Sequence, residues 1–225
     1  MGRRCTCARR PIEPKRSLSM TTRWIGIVLG IALVVVAWLW LSDSPRVARP
    51  THGTAVVAFG DSLVAGRGAA DGQDFVSVLS QRTGIRIVNA GRSGDTTGNA
   101  LARLESDVFP HDPRIVIVLL GGNDFLRRVP VDQTFENLGT IVEKIRSRGA
   151  AVILVGVSLG LLTDPYASRY EALAQRTSSG LVPGILDGVI GHADLMSDAV
   201  HPNNRGYAIV ADRVEPVLRE LLSDE

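Results

Sequence analysis

Short apolar segments alternate with amphipathic segments along most of this 225-residue chain, and this alternation limits its possible folds more than any other feature. Five apolar segments are rich in valine and isoleucine and have strand length: residues 55–59, 85–89, 115–120, 151–157 and, more weakly, 181–186. Strands that are apolar on both faces occur in parallel sheets covered by helices. The alternation therefore predicts an α/β fold with helices on both faces of a parallel sheet.

The segments between the predicted strands place their apolar residues at helical spacing. One of them carries Leu138, Ile141, Val142 and Ile145 on a single face, and the last helix is predicted over residues 207–222. In parallel α/β sheets the ligand site lies beyond the carboxyl ends of the strands. The residues that follow each predicted strand are therefore the candidates for a functional site.

The chain is expected to cross a membrane once, near its N-terminus. Residues 24–41 are apolar and uncharged, and their length is close to the minimum for a membrane-spanning helix. Basic residues crowd into residues 1–23, where Glu13 is the only acid. The positive-inside rule therefore predicts a basic cytoplasmic tail, a signal-anchor helix, a linker over residues 42–53 and a folded domain over residues 54–225 on the periplasmic side.

A cleaved signal peptide is the alternative, and it would lead to secretion of the domain. Ser42 and Ser44 have the small side chains that cleavage requires, but Pro45 would follow the cut. Met20 is an alternative start, since a short basic segment would still precede the apolar one. An uncleaved, single-pass anchor in the cytoplasmic (inner) membrane is the preferred prediction.

The composition argues against two classes of partner. The net charge is only +2, aromatic residues make up 5%, and no basic stripe is present, so a nucleic-acid surface is not expected. Cys5 and Cys7 are too close together for a good disulfide and too few for a zinc site. The sequence therefore predicts neither a nucleic-acid partner nor a metal.

Polar residues follow the first three predicted strands. Residues 60–63 read Gly-Asp-Ser-Leu, and a serine between a strand and a helix exposes its hydroxyl near a helix N-terminus that stabilises negative charge. After the next two strands, the backbone N–H of Gly94 and the side-chain amide of Asn123 can point at a developing oxyanion. Each of these segments, taken alone, also fits an ordinary turn or helix cap.

A histidine and a carboxylate lie close together before the last predicted helix. Asp198 and His201 are three residues apart, so one loop can supply a general base and the group that orients it. A histidine before proline is more often a surface residue. Serine, glycine, asparagine and this pair occur in chain order, however, and together they predict nucleophilic acyl transfer.

These segments resemble the GDSL branch of the SGNH-hydrolase superfamily. Residues 60–63, 94–96, 122–124 and 198–201 match its sequence blocks in order. The chain is similar to the bacterial periplasmic thioesterase/lysophospholipase/arylesterase subgroup over residues 55–221. The resemblance implies a flavodoxin-like three-layer α/β/α sandwich with a five-stranded parallel sheet in the order 2-1-3-4-5.

The resemblance also implies a role for each matching residue. Ser62 would be the nucleophile, His201 its base, and Asp198 the group that orients His201. The N–H groups of Ser62 and Gly94 and the side chain of Asn123 would form the oxyanion hole. Ester or thioester hydrolysis would then proceed through an acyl-enzyme, with no metal or organic cofactor. Asp61 and Asp124, in the same blocks, would be architectural supports.

A second serine offers a competing nucleophile. Ser158 lies in a G-x-S-x-G segment after a predicted strand, and Asp187 or Asp198 could complete its triad with His201. The helix that should follow such an elbow is interrupted by Pro165, and the matches around the other serine would remain unexplained. Ser62 is therefore the preferred prediction.

The substrate is the least determined part of the prediction. Residues 158–196 match the family poorly, although this region shapes the acyl pocket there. The preferred substrate is a small-molecule or lipid ester (lipid-like, aryl or acyl) outside the cytoplasmic membrane. A carbohydrate O-acetyl esterase of the cell envelope, with a shallow site, is the alternative. A non-catalytic binding module on the same fold is a third possibility, and the oligomeric state stays open.

Overall fold

A single five-stranded parallel sheet organises the folded part of the chain. The computed structural model describes residues 47–158 and 165–223, together with residue 31. The strands pair in the order β2-β1-β3-β4-β5, and every neighbouring pair is parallel. This confirms the predicted α/β class and strand order. The strands are β1 (Ala55–Gly60), β2 (Ile87–Gly91), β3 (Pro113–Leu119), β4 (Ala151–Val155) and β5 (Gly180–Val182).

Helices cover both faces of the sheet, as predicted. Side chains of β1 alternate between two cores: Val56 and Ala58 pack in one, Val57 and Phe59 in the other. The first core contains α1 and α6, and the second contains α2, α4 and α5. The helices are α1 (Phe75–Thr83), α2 (Thr97–Asp107), α3 (Gly122–Leu126), α4 (Val131–Ser147), α5 (Pro165–Thr177) and α6 (Asn204–Leu222), with a 3-10 helix at Phe109–His111.

Every strand differs from its predicted bounds by one or two residues, except that β5 ends four residues early. β2 covers Ile87–Gly91, so it begins and ends two residues later than the predicted 85–89. The weak segment 181–186 contributes only the end of β5, because Pro183 lacks an N–H group and Gly184 turns the chain with a φ of +51°. Short strands at the edges of a sheet, such as β2 and β5, depend on tertiary pairing, which the periodicity of a sequence does not report.

The chain after Ser62 does not enter a helix, so that part of the prediction is wrong. Residues 61–68 form consecutive turns, and the first helix begins only at Phe75. Gly66 and Gly68 have φ values of +77° and +98°, a conformation that interrupts a right-handed helix.

Residues 47–53, assigned to a linker by sequence analysis, are tied to the domain. The N–H of Ala48 donates to the carbonyl oxygen of Ser178, and the N–H of Thr51 donates to that of Gly149, both at 2.8 Å. The predicted membrane-spanning segment lies outside the described residues, apart from Ile31. In the part of the chain that the structure describes, no helix has the length and apolar character to cross a membrane.

Candidate active site

The turn that carries Ser62 is fixed by close packing at the end of β1. A Cβ atom at Gly60 would lie 2.2 Å from the carbonyl oxygen of Leu119 in β3, so only glycine fits there. Beyond it, the Asp61 carboxylate accepts the N–H of Leu63 (3.0 Å), and the Asp61 carbonyl oxygen accepts the N–H of Ala65 (3.0 Å). The serine between them is held at the carboxyl edge of the sheet.

The loop before α6 brings His201 to that serine. His201 Nε2 lies 2.9 Å from Ser62 Oγ, and Nδ1 lies 2.9 and 2.8 Å from the two carboxylate oxygens of Asp198. The loop is closed by a bond from the Ser197 N–H to the His201 carbonyl oxygen (2.9 Å). This is the relative placement in which an imidazole can take a hydroxyl proton while a carboxylate holds its other nitrogen.

The Asp198 carboxylate is held in its charged form. The N–H groups of Val200 and His201 donate to it at 2.9 and 2.8 Å, and the His201 ring lies against it. The Val200 N–H bond, followed by the His201 ring and the His201 N–H, lowers the pKa of Asp198 to about 2. A negative charge therefore faces the imidazole at any pH well above 2.

Two further predicted residues reach the same cavity. Gly94, with a φ of +84°, and Asn123, in the first turn of α3, both line the cavity together with Ser62 and His201. The Asn123 amide nitrogen lies 3.0 Å from the carbonyl oxygen of Asp95 and 3.3 Å from Asp61 Oδ2.

Asp124 connects the loops on either side of the cavity. Its buried carboxylate accepts the N–H of Thr97 (2.9 Å) and the Thr97 hydroxyl (2.6 Å). Because Thr97 begins α2, this pair joins the start of α2 to α3. The contact fits the predicted architectural role of Asp124.

The cavity beside Ser62 has a volume of about 460 Å³ and largely apolar walls. Its mouth carries four large apolar side chains that are 40–61% exposed, and within residues 47–158 and 165–223 no other large apolar side chain is exposed to this degree. Sequence reasoning missed them, although an apolar pair directly after the Gly-Asn-Asp segment was a usable signal. The four are Phe125, Leu126, Ile190 and Val200.

The competing serine lies in the same cavity. Ser158 is one of its lining residues, yet the described hydrogen bonds of the His201 ring go to Ser62 and Asp198. Residues 159–164, part of the poorly matching segment 158–196, lie outside the described residues. Among the residues that are described, no group of histidine, cysteine and carboxylate side chains is arranged to hold a metal ion.

Asp61 is a buried carboxyl group with a raised pKa. Burial, aided by the nearby Asp95 charge, raises its pKa from 3.8 to about 6, against the lowering effect of the Leu63 N–H, His201 and Asn123. The folded protein therefore keeps this proton up to about pH 6, whereas the unfolded chain loses it near pH 4. The stability that this difference contributes is present below about pH 4 and is lost as the pH rises through about 6.

Replacing Asp61 by asparagine should remove this part of the pH dependence. Relative to Asp61→Asn, the wild-type free energy of unfolding is expected to fall by about 2 kcal/mol between pH 4 and pH 6, because one pKa unit corresponds to about 1.4 kcal/mol and part of the effect lies outside this range. Urea unfolding of both proteins across this range measures the difference. Parallel curves for the two proteins would contradict the assignment.

Comparison with known proteins places these residues in a family context. Residues 58–209 match the GDSL-like lipase/acylhydrolase family. The chain is 34% identical over 178 residues to esterase TesA of Pseudomonas aeruginosa, covering 74% of this chain and 89% of the relative. It is 29% identical over 185 residues to thioesterase 1/protease 1/lysophospholipase L1 of Escherichia coli, covering 79% and 89%.

A solved structure shows the same fold. The crystal structure of TesA superimposes with a TM-score of 0.70 and 34% sequence identity, covering 75% of this chain and 99% of that chain.

Proposed function

Because the chain belongs to the GDSL-like lipase/acylhydrolase family of hydrolases, we propose that it cleaves carboxylic ester or thioester bonds through an acyl-enzyme on Ser62. One observation carries this proposal: His201 Nε2 lies 2.9 Å from Ser62 Oγ, with the Asp198 carboxylate on its other nitrogen. A serine hydroxyl is a weak nucleophile until an adjacent base takes its proton.

The proposed reaction has two halves. Ser62 Oγ attacks the carbonyl carbon while His201 Nε2 takes the hydroxyl proton. The bond to the leaving group then breaks, and His201 gives its proton to the departing alcohol or thiol, leaving an ester on Ser62. In the second half, water gives a proton to His201 Nε2 and attacks this ester. The bond between the acyl carbon and Ser62 Oγ then breaks, and His201 returns the proton to Oγ, which releases the acid and restores the hydroxyl. The Asp198 charge stabilises the imidazolium in both halves.

Three donors are proposed to receive the negative oxygen of each tetrahedral intermediate. They are the N–H groups of Ser62 and Gly94 and the side-chain amide of Asn123, all of which line the cavity. Such donors stabilise charge that develops only during the reaction, and removing one typically costs about 10²–10³ in rate.

An apolar acyl group is the proposed substrate moiety. Leu63, Val157 and Leu186 line the cavity beside the serine, and the exposed apolar side chains at its mouth extend this surface outward. The similarity to an esterase and to a thioesterase/lysophospholipase supports esters and thioesters of such acids as substrates.

Activity should therefore rise with acyl chain length, and the apolar side chains at the mouth of the cavity should determine how steeply it rises. We expect kcat/KM on p-nitrophenyl esters to increase from acetate toward octanoate. In Phe125→Ser/Leu126→Ser the octanoate value should fall about tenfold while acetate changes little, since each buried methylene contributes about 0.8 kcal/mol. An ester series assayed on both proteins measures this.

Leu101→Ser provides the control for that series, because Leu101 is half-buried on α2 and lies away from the cavity lining. Its chain-length profile should match the wild type. Identical profiles in Phe125→Ser/Leu126→Ser and the wild type would contradict the proposed acyl path. Wild-type activity on acetate alone would favour the carbohydrate O-acetyl esterase.

We also propose that the enzyme works beside the cytoplasmic membrane, on its outer side. The uncharged segment 24–41 and the basic residues before it support this placement. An apolar ester substrate is consistent with it. Secretion after signal-peptide cleavage is the alternative.

A further inference from the structure

A buried arginine joins the segments that carry the candidate active site. Arg103, on α2, is only 7% exposed. Its Nη2 donates to the carbonyl oxygen of Gly60 at the end of β1 (2.9 Å), and its Nη1 donates to that of Ala90 in β2 (3.0 Å). Its Nε donates to the buried carboxylate of Asp95 (2.5 Å). One guanidinium thus links two strand ends to the loop that follows β2.

Two of these bonds end beside residues of the proposed mechanism. Gly60 lies two residues before Ser62. Asp95 directly follows Gly94, and its carbonyl oxygen accepts the hydrogen bond of Asn123 (3.0 Å). The same guanidinium therefore holds the residue that precedes the Ser62 turn. It also holds the loop residue that is adjacent to Gly94 and hydrogen-bonded to Asn123.

The remaining contacts of Arg103 fix the plane of its guanidinium. Its Nη1 also donates to Asp107, one turn further along α2 (2.9 Å), and its central carbon lies 4.4 Å from the centre of the Phe59 ring. A planar guanidinium can satisfy all of these partners together. A lysine ammonium keeps the charge but not the fork of donors, so it cannot hold the same set.

We propose that Arg103 is a positioning residue for catalysis, which holds the Ser62 turn and the Gly94 loop in the relative geometry that oxyanion stabilisation requires. The inference rests on the proposed function, because it concerns the same acyl-transfer site. Oxyanion donors are effective because they are preorganised, and a displacement of about 1 Å can cost roughly 10² in rate. Since Arg103 does not line the cavity, its loss should lower kcat and leave KM nearly unchanged.

The test compares Arg103→Lys and Asp95→Asn with the wild type on p-nitrophenyl butyrate, using circular dichroism to establish that each variant is folded. Arg103→Lys replaces the guanidinium donor of the Arg103–Asp95 contact, and Asp95→Asn removes the negative charge of its acceptor. We expect kcat to fall by roughly 10²-fold in each, with KM within about threefold. The double variant should be no worse than the poorer single variant, because the two residues act through one contact.

A second readout isolates the oxyanion hole. Diethyl p-nitrophenyl phosphate transfers its phosphoryl group to an activated serine and releases p-nitrophenolate, with negative charge building on an oxygen at the same donors. The rate of this transfer should fall in parallel with kcat in Arg103→Lys and Asp95→Asn. A variant that is merely less stable, yet folded at the assay temperature, would not show this parallel loss.

Arg213→Lys is the matched control. Arg213, on α6, also donates to three carbonyl oxygens of one loop, namely those of Gly184 (3.1 Å), Ile185 (2.7 Å) and Asp187. None of these belongs to the segments of Ser62, Gly94 or Asn123. Its kcat should remain within about twofold of the wild type.

Three results would overturn the inference: folded Arg103→Lys and Asp95→Asn proteins with near wild-type kcat, a raised KM at unchanged kcat, or an equal loss in Arg213→Lys. If Arg103→Lys does not fold, Asp95→Asn alone decides. Failure of the proposed function can be distinguished from failure of this inference, because the wild-type protein itself would then not hydrolyse esters. The serine phosphorylation rate would still measure the role of Arg103.

Discussion

Replacing Ser62 by alanine is expected to lower kcat/KM on p-nitrophenyl butyrate by at least about 10⁴-fold, since the acyl-enzyme cannot form without its hydroxyl. The oxyanion donors and the cavity would remain, so substrate affinity should change little. Because the change removes one partly buried oxygen atom, the free energy of unfolding should stay within about 1 kcal/mol of the wild type. Steady-state kinetics together with urea unfolding separates the two effects.

Ser158→Ala is the matched control, because Ser158 lines the same cavity and lies in the competing G-x-S-x-G segment. It should retain activity within about threefold of the wild type. Loss of activity in Ser158→Ala with retention in Ser62→Ala would transfer the nucleophile to Ser158. Retention in both variants would remove serine catalysis from the account.

Replacing His201 by glutamine should lower kcat by roughly 10³–10⁴-fold, because an amide cannot take and return the proton of Ser62. Asp198→Asn should also lower kcat strongly, but less than His201→Gln does. The substitution removes a carboxylate that the Val200 and His201 hydrogen bonds keep charged, with a pKa of about 2. An asparagine amide no longer holds the His201 ring in the tautomer that the reaction requires. The pH dependence of kcat/KM for all three proteins measures these effects.

His192→Gln supplies the control for the histidine, since His192 is exposed and does not line the cavity. It should behave as the wild type. A His201→Gln protein with more than about a tenth of wild-type kcat would contradict the role of general base. Equal losses in Asp198→Asn and His192→Gln would point to a general effect of loop substitutions.

The sheet and the site blocks were predictable for a local reason. Strands such as Pro113–Leu119 are apolar on both faces, so their burial appears in consecutive residues. In a parallel sheet, every loop after a strand end reaches the same edge. The predicted strand ends, together with the resemblance to the GDSL branch, therefore predicted that Ser62, Gly94 and Asn123 would meet at one cavity.

What the sequence did not indicate depends on distant partners. Gly66 and Gly68 turn the chain after Ser62, and spacing patterns do not report a positive φ. The exposure of Phe125 follows from the arrangement of loops around the cavity. Arg103 occupies a buried helix position beside Leu104, and its partners come from three segments outside its own helix. A charged residue in the apolar face of a helix was the one feature of the sequence that could have indicated a special role for Arg103.

Labelling with diethyl p-nitrophenyl phosphate tests the central claim most directly, because the adduct identifies the nucleophile without assuming the natural substrate. The account predicts that about one p-nitrophenolate is released per chain and that peptide mass spectrometry finds the diethylphosphoryl group on Ser62. Labelling should be slow in His201→Gln. An adduct on Ser158, or continued ester hydrolysis by fully labelled protein, would contradict the proposed role of Ser62.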